Sequence, residues 1–84
     1  MENEKEIGVV SGYFSHVGVA AIKLSAPLSV GDKIRIKGAT TDFELEVEEI
    51  QIEREPVEKA KKGAHVGIKV PEKVRPNDKV FLIN

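Results

Sequence analysis

The feature that most constrains this chain is an apolar-polar alternation of period two along almost its whole length. Lys33-Ile34-Arg35-Ile36-Lys37, Phe43-Glu44-Leu45-Glu46-Val47 and His65-Val66-Gly67-Ile68-Lys69-Val70 each place every second side chain on one face. That is the pattern of a half-buried strand, not of a helix. Ile7, Val9 and Val10 open a first strand running to about Phe14, Val17 to Leu24 reads as a second, and Lys79 to Ile83 as the last. Six short strands separated by turn chemistry predict an all-β fold, a barrel or a sandwich. The small residues Gly18, Ala20 and Ala21 point to close approach of neighbouring backbone.

Two details sharpen the expectation. The apolar phase is odd at Phe43, Leu45 and Val47 but even at Ile50 and Ile52, which predicts a β-bulge near Glu48–Glu49. One hairpin register pairs Lys37 with Glu44, Arg35 with Glu46 and Lys33 with Glu48, while matching Ile36 with Leu45 and Ile34 with Val47 on the inner face. In that register the basic stripe of Lys33, Arg35 and Lys37 is neutralised by glutamates and reads as structural. The one helix-capable stretch is a short turn near 56–62, with Pro56 to start it and Gly63 to end it.

Eighty-four residues make one domain, with an ordered core expected over about 5–83 and little room for a deep pocket. With no cysteine there is no disulfide framework, thiolate metal site or thiol nucleophile. Thirteen basic and 14 acidic side chains leave a net charge of −1, so nucleic-acid binding would need a local patch. Glu and Lys dominate the charged set while Met occurs once, a bias similar to thermophile usage. The polar start, Met1-Glu2-Asn3-Glu4-Lys5-Glu6, lacks the apolar run of a signal peptide, and no segment is long enough to span a membrane; a cytoplasmic location is expected.

Chemistry-bearing motifs are sparse. The chain has no phosphate-binding glycine loop, no GxGxxG and no nucleophile elbow around its serines. His16 and His65 are isolated, and read as polar residues rather than metal ligands. No catalytic residue, cofactor site, nucleotide site or metal site is expected. A second basic cluster, Lys59, Lys61 and Lys62, with Lys69, Lys73 and Arg75 as candidate neighbours, is diluted by Glu55 and Glu58.

The ordered set Gly18-Val19-Ala20, Leu28-Ser29-Val30-Gly31-Asp32-Lys33-Ile34, Val47 through Arg54 and Ala60-Lys61-Lys62-Gly63-Ala64-His65-Val66-Gly67-Ile68 resembles the second domain of translation elongation factor Tu and its relatives. That resemblance implies a six-stranded antiparallel β-barrel and a binding role toward RNA or a translation-related partner. Arg54 stands where the family has an arginine near the tRNA acceptor end, whereas Gln51 and His65 stand where it has Glu and Asn. The RNA-binding residues it implies are Arg54, His65 and Gln51, with the lysine turn of Lys59, Lys61 and Lys62. The chain also resembles the barrel at the C-terminus of U32 family peptidases, where it is an accessory module. Two functions stay open: a non-catalytic module contacting RNA weakly, or an accessory protein-interaction barrel.

Overall fold

A computed structural model describes residues 4–83; residues 1–3, part of the polar start, and residue 84 lie outside it. Among the described residues ten strands form in chain order: β1 (Glu4–Phe14), β2 (Val19–Leu24), β3 (Leu28–Ser29), β4 (Lys33–Lys37), β5 (Asp42–Glu46), β6 (Ile50–Ile52), β7 (Glu55–Val57), β8 (Lys59–Ala60), β9 (His65–Lys69) and β10 (Lys79–Ile83). Eight of them make one antiparallel sheet in the order β5-β4-β10-β1-β2-β9-β6-β7, and β3 pairs with β8 as a separate ribbon. The all-β antiparallel reading agrees with this. The strand count differs, because β3, β7 and β8 form within expected turns and the expected strand over 43–52 divides into β5 and β6. Hydrogen bonding leaves β5 and β7 as the edges of the sheet.

The alternation places the core where it was expected. Ala20, Ile22 and Leu24 of β2, Ile34 and Ile36 of β4, Val66 and Ile68 of β9, and Val80 of β10 are buried. β1 pairs with β10 and β2, and its ladder shifts twice, between Glu6 and Gly8 against β10 and between Val10 and Gly12 against β2. These shifts bring Ile7 and Val10, three residues apart and of opposite phase, to the same core. Gly8 sits at a close crossing of backbones, where a Cβ would lie 2.7 Å from the Lys23 carbonyl oxygen.

The phase change between Val47 and Ile50 is real, since both side chains are fully buried. Its cause is a change of strand rather than a bulge. β5 ends at Glu46 beside β4, and β6 begins at Ile50 beside β9, on the far side of the sheet order. Val47 is held at the crossing by its N–H to the Asp32 carbonyl (2.8 Å) and by the Gly31 N–H to its own carbonyl (2.7 Å).

The β4–β5 register also differs from the expected one, by two residues. Lys37 lies opposite Asp42, Arg35 opposite Glu44 and Lys33 opposite Glu46; Ile34 meets Leu45 and Ile36 meets Phe43. A shorter loop decides it: the Gly38 N–H reaches the Thr41 carbonyl at 2.7 Å, closing the hairpin before the six-residue connection that the expected pairing needs. A shift of two preserves the faces, so the basic stripe still faces acids. Arg35 forks onto Asp42, Nε to Oδ1 at 2.8 Å and Nη2 to Oδ2 at 3.0 Å, and also reaches Glu4 at 2.9 Å.

That fork makes a prediction. Hydrogen bonds from Arg35 hold the Asp42 carboxyl below its ordinary value. The stabilising effect is therefore present above the ordinary carboxylate pKa of about 3.9 and is lost as pH falls through the folded value. A carbon-detected titration should give Asp42 a midpoint below that of a free aspartate, and Arg35→Met should restore the ordinary midpoint. An unshifted Asp42 in the parent chain would contradict the fork.

The expected helical turn over 56–62 is replaced by β7 and β8. Pro56 is tolerated because it lies opposite Gln51 on the outermost strand, two residues from the turn, with its missing N–H on the free edge. Ala60 is buried opposite Leu28 in the ribbon, which fixes this segment as extended chain. Gly63, expected to end a helix, instead takes φ 87° in the turn where the Ala64 N–H meets the Lys61 carbonyl. Asp32 closes another turn by accepting the Ser29 N–H at 2.9 Å while its own N–H returns to the Ser29 carbonyl. Asp32→Ala should cost about 1 kcal/mol in urea unfolding, the scale of one net hydrogen bond. An unchanged midpoint would show that this carboxylate does not hold the turn. Among the described residues no helix is long and apolar enough to cross a membrane.

Candidate binding groove

Side chains of β2 alternate between core and surface, so Val19, Ala21 and Lys23 point out while Ala20, Ile22 and Leu24 point in. The same alternation turns His65, Gly67 and Lys69 of β9 outward, and Gln51 of β6 with them. Antiparallel registration then lines up one row of short residues across the strands: Gly12 opposite Ala21, Ala21 opposite Gly67, and Gly67 opposite Gln51. On one side the row Phe14, Val19, Lys69 stands above this floor; on the other stand Lys23 and His65. Four residues of strand separate the two flanks, about 13 Å at the usual strand rise.

The result is an open groove of about 910 Å³ crossing the outer face of β2, β9 and β6. Phe14 and Val17, each about half exposed, supply an apolar wall at the β1–β2 connection. Gly18, with φ 67°, sets that wall: its N–H and that of Val17 both return to the Phe14 carbonyl. The β6–β7 turn, Glu53-Arg54, brings its two residues to the groove as well. Arg54 and Lys69 are matched in number by Glu49 and Glu53 along the lining, so the groove carries little net charge apart from His16 and His65. Among the described residues Arg54 has no ion pair within 4.0 Å, in contrast to Arg35.

The structure brings together three of the site residues expected from the sequence: Gln51, Arg54 and His65 all line the groove. Lys59, Lys61 and Lys62 do not line it; Lys59 lies in β8 opposite Ser29, and the other two occupy the turn before β9. Sequence reasoning missed Phe14, His16 and Val17, although a phenylalanine and a valine flanking a turn were a readable signal. Lys69, which the sequence groups with the second basic cluster, lines the groove instead, four residues after His65 and so on the same face. Among the described residues no group of three or more His, Asp or Glu side chains is placed to hold a metal ion.

A likeness in three dimensions is clear. The structure matches the C-terminal domain of a Geobacillus thermoleovorans U32 peptidase with a TM-score of 0.89 over 95% of this chain and 93% of that one, at 23% identity. The selenomethionine variant of the same domain matches at a TM-score of 0.87, over 90% of this chain and 96% of that one. The fold is that of the U32 C-terminal domain. In sequence, the chain is 49% identical over 71 residues to a collagenase of Porphyromonas gingivalis, covering 82% of this chain and 20% of that protein. It is 44% identical over 79 residues to an uncharacterized protease of Methanocaldococcus jannaschii, covering 93% of this chain and 19% of that protein. The chain therefore spans about a fifth of the length of these relatives. No protein-family profile matches the chain.

Proposed function

We propose that the chain is a non-catalytic accessory module of the U32 C-terminal type, whose outer groove holds an extended polypeptide for a proteolytic partner domain. The observation that carries this is the groove itself: an open trough floored by Ala21 and Gly67, walled by Phe14 and Val17, with nearly balanced charge. Small side chains let another backbone approach closely, and exposed aromatic and aliphatic residues offer area to bury. The names of the sequence relatives, a collagenase and a protease, support a polypeptide as occupant.

One observation favours a second reading. Phe14, His16, His65 and Arg54 gather around the groove, and such rings and guanidinium planes can stack on unpaired bases. This is the RNA-binding role implied by the resemblance to elongation factor Tu. Glu49 and Glu53 in the same lining oppose a phosphate chain, which places the polypeptide first.

The two readings separate by salt. Anisotropy titrations with labelled gelatin fragments and with an unstructured RNA oligonucleotide should show binding of gelatin that changes little between 50 and 200 mM salt, roughly the range over which phosphate contacts lose affinity steeply. Binding of RNA alone, with log affinity falling against log salt at a slope of about 0.7 per phosphate neutralised, would reverse the assignment.

A further inference from the structure

The turn between β6 and β7 sets its sequence against its backbone. Glu53 and Arg54 have φ of 53° and 68°, left-handed at both central positions of a two-residue hairpin turn. That geometry is ordinarily filled by Asn-Gly or Asp-Gly, because a Cβ crowds the backbone there. Elsewhere among the described residues the rule is kept: positive φ falls on Gly18, Gly31, Gly63 and Asn77. It is broken at this turn alone, and both offending residues line the groove.

We propose that the Glu53-Arg54 turn is the specificity grip of the groove, holding the Arg54 guanidinium for a carboxylate on the bound polypeptide. This rests on the reading of the groove as a polypeptide site. A guanidinium engages a carboxylate through two parallel N–H donors, with a fixed planar geometry that lysine does not reproduce. Arg35 shows the fork within this molecule, closed on Asp42, whereas Arg54 has no such internal partner among the described residues. Phe14 and Val17 rise at the opposite end of the lining, so the ligand recognised is an extended segment with an acidic residue and an apolar one. Glu53 beside the arginine and Glu49 at the other end of β6 disfavour a ligand of many negative charges while tolerating a single carboxylate. An Asn-Gly turn would relieve the backbone but would present no charge to the groove.

The test uses two synthetic unstructured peptides rich in Leu, Gly and Ser that differ at a single position, Asp in one and Asn in the other, with the intact chain and two variants. The parent chain should bind the Asp peptide at least tenfold more tightly than the Asn peptide. Glu53→Asn with Arg54→Gly should raise the melting temperature by roughly 4–8 °C while bringing both peptides to the same weaker affinity. Glu53→Asn alone keeps the guanidinium and should keep the tenfold preference. A raised melting temperature with the preference intact in the double variant would overturn the grip and leave the groove reading standing. An unchanged or lowered melting temperature would overturn the claim that the turn is held against its preference. If the parent chain binds neither peptide nor gelatin, the grip and the groove reading fall together.

Discussion

Ile22→Ala is expected to cost about 2–5 kcal/mol, the range for deleting a fully buried isoleucine and leaving its cavity partly open. Ile22 is 0% exposed and lies opposite Val10 of β1 and Val66 of β9, both buried, so three adjacent strands meet at its side chain. A domain of this size has a total stability of about 4–13 kcal/mol at the usual figure per residue. One such substitution therefore removes a large fraction of it, and no disulfide is present to compensate. Urea unfolding would read the loss directly, and Ile22→Val, which removes one methylene, should cost only about 0.5–1.5 kcal/mol. A loss under about 1 kcal/mol for the alanine variant would contradict the place given to β2 at the centre of the core.

The second large effect concerns binding. Phe14→Ala with Val17→Ser should weaken gelatin binding by roughly tenfold or more, equivalent to about 1.4 kcal/mol. The two side chains form the exposed apolar wall of the groove, and truncating an aromatic anchor removes area that a ligand would bury. Because both are about half exposed in the free chain, folding stability should shift far less than for Ile22. Equal gelatin affinity in parent and variant, with the melting temperature held, would remove this wall from the site.

Much of the fold was legible because period-two alternation is a strong signal. β4, β9 and β10 begin where their alternating runs begin, and their inward residues are the buried ones. The failures share a physical cause. Register and strand partners depend on loops, and four-residue closure from Gly38 to Thr41 could not be told from a six-residue one by charge pairing, since a two-residue slip preserves both faces. The switch of phase between Val47 and Ile50 said that the chain must turn over, but a bulge and a change of partner strand leave the same mark. Pro56 and the lysines after it suited a helix locally, and only burial of Ala60 against Leu28 decides for extended chain. In the groove, Gln51, Arg54 and His65 came from a family resemblance, while Lys69 joins them through the antiparallel registration of β9 against β2, and Phe14 and Val17 through the turn they flank.

The central claim, that this module works through the groove across β2, β9 and β6, is tested most directly by mapping backbone amide shifts while gelatin fragments are titrated in. The account predicts changes concentrated at Phe14, Val17, Ala21, Gln51, Arg54 and Gly67, with Lys33, Arg35, Glu44 and Glu46 of the neutralised hairpin unmoved. Shifts confined to that hairpin, or to Lys59, Lys61 and Lys62, would contradict it.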